Sequence, residues 1–198
     1  MKIIGLTGGI GAGKSFISEF LIQHSVSIID TDVIARQLLE PEQPAWKGVK
    51  LQFGDSFFLA DGRLDRSRLA DFIFKDSISR QKLDVLMHPM IRSYWKSEVS
   101  KLKEQNIKLC VVVIPLLFET HAEDQFDTII SMVCSSLTQV KRLEQRGWSL
   151  SHIKSRVAAQ WPMAMKAKLS QYVIWTECSK ESTIAQMRII FKKIGENI

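Results

Sequence analysis

The sequence has few cysteines and no long apolar run, and both absences limit what the protein can be. Cys110, Cys134 and Cys178 stand far apart among 198 residues and form no Cys-x-x-Cys pair. This argues against a zinc or redox motif, and isolated cysteines are typical of a reducing cytoplasm, where we expect the protein. The longest apolar stretch, Leu109 to Phe118, contains Pro115 and is too short to span a bilayer. We therefore expect no membrane partner.

The chain also has no internal repeat, no low-complexity tract and no helix-turn-helix or RNA-binding signature. Its formal net charge of +6 indicates an anionic partner, and charge alone does not choose between a polyphosphate nucleotide and nucleic acid. Without a nucleic-acid motif we expect small-molecule substrates and no nucleic acid. Residues 1–9 run straight into a glycine-rich segment, so we expect no cleavable signal peptide there.

That glycine-rich segment, residues 8–15, reads Gly-Gly-Ile-Gly-Ala-Gly-Lys-Ser and fits the phosphate-binding P-loop pattern. An apolar run, Ile3 to Leu6, precedes it, and apolar residues at helical spacing follow it. Glycines let successive N–H groups point into one concavity, and a helix start adds partial positive charge. The expected ATP-binding residues are Gly9, Ile10, Gly11, Ala12, Gly13, Lys14, Ser15 and Phe16, with Ser15 also expected to hold Mg²⁺.

Two other interpretations of this segment are weaker. A glycine-rich turn without a ligand does not require the lysine, the serine and the flanking periodicity to coincide. A dinucleotide-binding turn requires the order Gly-x-Gly-x-x-Gly, which these glycines do not make.

Apolar runs separated by helical patterns predict an α/β fold with a parallel five-stranded sheet and helices on both faces. The predicted strands are Lys2–Leu6, Val26–Ile29, Leu109–Ile114, Thr128–Val133 and Tyr172–Trp175. The gap between the second and third runs is too long for one crossover. Helical stretches at Arg66–Phe74 and Met90–Lys103, separated by prolines and glycines, predict a mostly helical insertion.

The segment from Lys141 to Lys168 holds seven basic residues and one acidic residue. Such a segment after a P-loop core favours a helical lid that brings arginines onto the phosphates and excludes water. The alternative is a solvated basic face.

Asp30 and Asp32 directly follow the second predicted strand. If the chain stays extended there, both carboxylates point the same way and one can accept a proton from an acceptor hydroxyl. Alternatively, either aspartate caps a helix that begins near Val33. The third strand ends without the usual carboxylate for metal binding, and we find no GTPase switch motifs.

Several further blocks extend the pattern, and together with the P-loop they resemble the dephospho-CoA kinase family over nearly the whole chain. The blocks begin at Ile29 (Ile-Asp-Thr-Asp-Val-Ile-Ala-Arg), Asp61 (Asp-Gly-Arg-Leu-Asp), His88 (His-Pro-Met-Ile), Ile114 (Ile-Pro-Leu-Leu-Phe-Glu), Gln139 (Gln-Val-Lys-Arg) and Arg156 (Arg-Val-Ala-Ala-Gln). The P-loop alone would be generic, whereas these blocks together are specific.

The resemblance implies ATP-dependent phosphorylation of the ribose 3′-hydroxyl of dephospho-CoA, the last step of coenzyme A biosynthesis. The resemblance implies that Asp32 is the general base and Asp30 a supporting carboxylate, with Lys14, Arg142 and Arg156 on the ATP phosphates. Acceptor-binding roles are implied for Arg36, Arg66, His88 and Glu119. Taken without the resemblance, His88 reads as a residue that ends a helix before Pro89, and Glu119 as a surface residue.

The implied division has three parts: a nucleotide-binding core (1–35, 106–140 and 169–198), a helical acceptor-binding insertion (36–105) and a lid (141–168). We expect a monomer or a small homo-oligomer. The chain departs from the family pattern at Gln171, Thr176 and Cys178, which leaves the contacts to the adenine open. Two other functions remain: a P-loop kinase for another hydroxyl acceptor, and a nucleotide sensor, which would need no base.

Overall fold

The structure is a computed structural model that describes residues 1–198, except for the side chains of Phe74 and Lys75. The strands are β1 (Lys2–Gly8), β2 (Ser27–Asp30), β3 (Leu109–Val113), β4 (Thr128–Val133) and β5 (Tyr172–Trp175). The α-helices are α1 (Lys14–Gln23), α2 (Thr31–Leu38), α3 (Pro44–Phe53), α4 (Arg66–Lys75), α5 (Ser77–Glu104), α6 (Ser136–Glu144), α7 (Leu150–Ala158), α8 (Met163–Leu169) and α9 (Lys180–Lys193).

The strands form one sheet in the order β2-β3-β1-β4-β5, which confirms the predicted α/β fold. β1 pairs in parallel with both β3 and β4, so that Gly5 lies opposite Val112 on one side and Ile129 on the other. β4 continues the parallel pairing to β5. Parallel strands place all their carboxyl ends at one edge, and the glycine-rich loop leaves β1 at that edge.

Side chains alternate along β1 and are buried in both directions, as expected for a central parallel strand. Ile4 and Leu6 belong to a buried cluster that also contains Leu21 of α1 and Phe191 of α9. Gly5 between them has no room for a Cβ, because one would lie 2.8 Å from the Leu117 side chain. Both faces of the strand are therefore covered.

The chain divides into two compact units, residues 1–29 with 102–198 and residues 30–101. The first contains the sheet and its covering helices. The second has its own small core around Val49, Phe57, Leu64 and Leu69. Within the described residues, no helix is long and apolar enough to cross a membrane.

One prediction about the second unit is wrong. The sequence predicted a helix that begins at Met90, with Pro89 as a break, but α5 runs from Ser77 to Glu104 with Pro89 inside it. A proline in a helix interior loses one hydrogen bond and costs about 3 kcal/mol. Burial of Met87 before it and of Trp95 and Val99 after it stabilises the continuous helix and offsets that cost.

Substitution of Gly8, the last residue of β1, should destabilise the protein strongly. Its φ of 139° is unfavourable for other residues, and an added Cβ would lie 2.3 Å from the Met132 carbonyl oxygen of β4. Gly62 is the control, since its φ is 81° but a Cβ there meets nothing within 4 Å. Gly62→Ala should cost about 1–2 kcal/mol of unfolding free energy, and Gly8→Ala clearly more, in urea titrations. Equal losses would contradict the steric account.

Candidate active site

The glycine-rich loop joins β1 to α1 at the carboxyl edge of the sheet. Gly11 and Gly13 have φ of 76° and 94°, which other residues rarely adopt, and Gly13 immediately precedes the first residue of α1. The Ala12 N–H donates to the Gly9 carbonyl, 3.1 Å away, and closes the loop on itself. The helix begins at Lys14, so its N-terminal amides lie at the end of the loop and favour an anion there.

The Lys14 ammonium group lies across the loop. Its Nζ donates to the carbonyl oxygens of Gly8, at 2.8 Å, and Gly9, at 3.0 Å. These acceptors are neutral, so a phosphate oxygen would compete for the ammonium group with a full negative charge. Lys14 is therefore placed at the loop as a positive charge available to a bound polyphosphate.

A cleft of about 460 Å³ opens beside the loop. The residues that line it come from the loop, α1, β4, α6 and the residues after it, the segment after β5, and the start of α9. They are Gly11, Gly13, Ser15, Phe16, Glu19, Met132, Arg142, Gln145, Arg146, Thr176, Cys178, Lys180 and Thr183. Two arginines and a lysine against one glutamate make its walls basic. The cleft therefore contains the charge that a nucleotide polyphosphate requires.

Arg142 of α6 is held in the cleft wall by three acceptors. Its guanidinium donates to the Thr176 hydroxyl at 2.9 Å, the Thr176 carbonyl at 2.5 Å and the Gly11 carbonyl at 3.3 Å. The Thr176 hydroxyl also lies 3.0 Å from the Ala12 carbonyl and 3.1 Å from that of Val133. Thr176, one of the departures from the family pattern, thus joins the loop, β4 and α6.

The other two departures have ordinary structural contacts. The Gln171 side-chain oxygen accepts from the Ile129 N–H at 2.8 Å, at the start of β4. Cys178 is exposed at the cleft and its thiol donates to the Trp175 carbonyl. Cys178 is absent from the residues with positive φ in the described chain, so a side chain there costs no backbone strain.

Arg156 of α7 lies against two rings. Its guanidinium stands 4.8 Å from the centre of the Trp148 ring, and its Nε donates to the His152 Nε2 at 2.9 Å. The Trp148 and His152 rings stack at 4.8 Å with 8° between their planes. Within the described chain, Arg156 is not among the residues that line the cleft.

Pro162 lies between α7 and α8 and immediately precedes Met163, the first residue of α8. Lys166, in the same segment, is fully buried although it belongs to the predicted basic lid. Its ammonium group contacts Glu119 Oε1 at 2.7 Å and donates to the Pro115 carbonyl at 2.5 Å. Burial lowers the pKa of Lys166, and hydrogen bonding to Glu119 opposes that effect.

Glu119, predicted to bind the acceptor, is therefore part of a buried ion pair. Its Oε1 also accepts from the Trp161 N–H at 2.8 Å, and its Oε2 is buried with no hydrogen-bond partner among the described residues. This pair joins the loop after β3 to α8. Lys166 is buried because α8 packs against β1 and β4.

The second unit contains the other predicted acceptor residues. The extended conformation considered for residues 30–32 is wrong, since β2 ends at Asp30 and α2 begins at Thr31. Asp30 caps α2 by accepting from the Asp32 N–H at 2.8 Å, as the alternative predicted. Asp32 lies exposed in the first turn of the same helix.

Arg36 and Arg66 lie together in this unit. The Arg66 guanidinium donates to the Arg36 carbonyl at 2.8 Å and to the Glu40 carboxylate at 2.7 Å. His88 on α5 lies 3.6 Å from the Asp84 carboxylate one turn earlier. Burial raises the pKa of Asp84, and the neighbouring His88 opposes that shift.

Ser15 is the one residue predicted to hold Mg²⁺. It is exposed and lines the cleft, so its hydroxyl is accessible to an ion beside bound phosphates. The described residues contain no group of three or more His, Cys, Asp or Glu that could hold a metal. Magnesium keeps several waters and takes phosphate oxygens as ligands, so one hydroxyl fits it without a carboxylate cage.

Sequence reasoning did not assign a role to Gln139, Gln160 or Lys166. Both glutamines lie in blocks that resemble the family, those that begin at Gln139 and Arg156. A glutamine is uncharged, so neither charge nor metal-ligand spacing indicates a role for it. Lys166 belongs to the basic segment of residues 141–168, and only its burial distinguishes it from the other basic residues there.

The strand, the glycine-rich loop and the helix start, with Lys14 and Ser15 beside a basic cleft, define a P-loop nucleotide-binding site. The parallel sheet order β2-β3-β1-β4-β5 around it is typical of P-loop kinases. A family model described as dephospho-CoA kinase matches residues 2–181. The dephospho-CoA kinase of Bdellovibrio bacteriovorus is 35% identical over 99% of this chain and 98% of its own length. That of Geobacter sulfurreducens is 36% identical over 98% of each chain. The solved dephospho-CoA kinase of Campylobacter jejuni has a TM-score of 0.71 at 25% identity, over 98% of each chain.

The chain belongs to the dephospho-CoA kinase family. Its activity is that of a dephospho-CoA kinase, an ATP-using enzyme of coenzyme A biosynthesis.

Removal of either partner of the buried ion pair should destabilise the protein by about 3–5 kcal/mol, because a charge remains buried without compensation. The variants are Lys166→Met and Glu119→Leu, measured by urea unfolding. Combination of both substitutions should recover most of the loss, because no buried charge remains. Additive losses in the double variant would show that the two side chains do not compensate each other.

Proposed function

We propose that the reaction proceeds by in-line transfer of the ATP γ-phosphate to the ribose 3′-hydroxyl of dephospho-CoA. The loop amides of residues 9–16 and the Lys14 ammonium group hold the phosphates. The observation that carries this is the loop itself, with its helix start and its Lys14 contacts beside a basic cleft. Phosphoryl transfer needs positioning and charge stabilisation more than covalent chemistry, and the loop provides both.

Asp32 is proposed as the general base and Asp30 as its support. Asp30 keeps the first turn of α2 in place through its bond to the Asp32 N–H, and Asp32 remains exposed. An acceptor hydroxyl that donates to Asp32 would lose its proton to that carboxylate as the phosphoryl group arrives. Arg36, Arg66, His88 and Glu119 are proposed to bind dephospho-CoA, and the ion pair with Lys166 would hold the Glu119 side chain in place.

Arg142 and Arg156 are proposed to contact the ATP phosphates. Arg142 already lines the cleft, whereas Arg156 belongs to the predicted lid, residues 141–168. Besides this lid, we propose a nucleotide-binding core of residues 1–35, 106–140 and 169–198 and an acceptor-binding insertion of residues 36–105. Because Lys166 is buried, closure of the lid would involve α7 more than α8.

Ser15 would hold Mg²⁺, which supplies charge neutralisation on the phosphate oxygens. We further propose small-molecule substrates alone, without nucleic acid or membrane partners, a monomer or small homo-oligomer, and a reducing cytoplasm. The isolated cysteines support the last point, because none of them is paired and unpaired thiols are typical of a reducing compartment.

The direct test is ADP release from Mg-ATP with dephospho-CoA, adenosine, shikimate or pantothenate as acceptor. We expect turnover with dephospho-CoA alone. Turnover with another acceptor would favour a different small-molecule kinase, and ATP binding without turnover on any acceptor would favour a nucleotide sensor.

Asp32→Asn should lower kcat by about 10²–10⁴-fold and leave both KM values nearly unchanged. Asparagine is nearly isosteric but cannot take the proton. The control is Asp71→Asn, the same change of charge on an exposed residue of α4, which should retain activity. A raised KM with unchanged kcat would make Asp32 a binding residue and not the base.

Arg156→Lys should reduce kcat by on the order of tenfold, the equivalent of about 1.4 kcal/mol, because the charge remains but the planar fork is lost. The control is Arg188→Lys on the exposed side of α9, which should behave like the unchanged enzyme. Full activity of Arg156→Lys would leave this part of α7 as a solvated basic face.

A further inference from the structure

Two glutamines that no step of the reaction uses hold one residue of the P-loop from opposite sides. Gln139, on α6, donates from Nε2 to the Ile10 carbonyl at 2.7 Å. Gln160, just after α7, accepts from the Ile10 N–H through Oε1 at 2.9 Å. Both peptide groups that flank the Cα of Ile10 are therefore held by side chains.

The direction of each hydrogen bond follows from the backbone. An N–H can only donate and a carbonyl can only accept, so Gln160 must present its oxygen and Gln139 its NH₂ group. Gln139 is buried, with 5% of the residue exposed, and its hydrogen bond to the Ile10 carbonyl is partly buried. Loss of that bond therefore costs more than it would in open solvent. The position of Gln139 therefore requires a donor, and the position of Gln160 requires an acceptor.

Side chains from neighbouring helices also pack closely against the same part of the loop. A Cβ on Gly9 would lie 2.7 Å from the Met163 side chain of α8, and one on Gly11 would lie 3.2 Å from Leu143 of α6. Arg142 adds its bond to the Gly11 carbonyl. Residues 9–11 are therefore held by α6, by α8 and by Gln160, which follows α7.

We propose that Gln139 and Gln160 are positioning residues for phosphoryl transfer: they hold Ile10 so that the amides of residues 11–15 keep the concavity that receives the phosphates. Neither needs to touch the nucleotide. A misplacement of about 1 Å in groups that position a substrate can cost on the order of 10²-fold in rate. This inference rests on the proposed role of the loop in ATP binding.

Four substitutions test the inference: Gln139→Met, Gln139→Glu, Gln160→Met and Gln160→Glu. Glutamate keeps an acceptor but has no donor, so Gln160→Glu should be the mildest of the four. Gln139→Glu should be the most damaging, since a carboxylate would face the Ile10 carbonyl. Both glutamates add the same charge near the same residue, so a charge effect alone predicts equal losses.

The readouts are the steady-state constants with Mg-ATP and dephospho-CoA. We expect Gln139→Met, Gln139→Glu and Gln160→Met to lower kcat/KM for ATP by about tenfold or more, as loss of a well-placed hydrogen bond at a partly buried site does. The KM for dephospho-CoA should not change. Gln171→Met is the matched control, since Gln171 also accepts from a backbone N–H, that of Ile129 at the opposite edge of the sheet.

Hydrogen exchange provides a readout that activity does not. Peptides covering residues 8–15 should exchange faster in the two methionine variants at Gln139 and Gln160, and peptides covering β4 should not. Unchanged ATP constants and exchange in these variants, or equal damage from the two glutamates, would overturn the inference. If the unchanged enzyme binds an ATP analogue but phosphorylates no dephospho-CoA, the proposed function fails, and titration of that analogue still tests the glutamines.

Discussion

The parallel hydrogen bonding of β1 between β3 and β4 is the constraint on which the site depends. It places the end of β1 at the carboxyl edge of the sheet and brings Gly8 so close to Met132 that no side chain fits. The chain must leave the strand there as a tight loop, and glycines with positive φ make that loop possible. The anion-binding amides therefore directly follow the central strand of the sheet, whose side chains belong to the buried core.

The loop is also held from outside the sheet. Gln139 and Arg142 of α6 donate to the carbonyl oxygens of residues 10 and 11, and Gln160, which follows α7, accepts from the amide of residue 10. Thr176 joins the same loop to β4 and to Arg142. These bonds are within reach only because the parallel strands end at one edge, where the connections to α1, α6 and α9 meet. A loop that must hold a polyphosphate is thus preorganised at several points.

Most buried polar groups of the first unit have hydrogen-bond partners, and Glu119 is one of the exceptions. Lys166 is buried against Glu119, and the pair leaves Glu119 Oε2 without a partner within the part of the chain that the structure describes. Such a pair contributes little net stability but strongly disfavours any arrangement that separates its members. It therefore keeps α8 on the sheet, and the Trp161 N–H bond to Glu119 extends that restraint toward α7.

The sequence by itself determined the strands and the P-loop, because these depend on local patterns: apolar runs, glycines at defined spacing and a lysine–serine pair. It also determined the family, because further specific blocks occur over nearly the whole chain. It left open whether residues 30–32 are extended or cap a helix, and it placed a break at Pro89 where α5 continues. Only the tertiary structure decided that Lys166 is buried and that Gln139 and Gln160 hold Ile10. The physical reason is that these contacts join residues far apart in the chain: Lys166 bonds to Pro115 across 51 positions, and Ile10 bonds to Gln139 and Gln160 across 129 and 150 positions. No local sequence pattern indicates contacts over such separations.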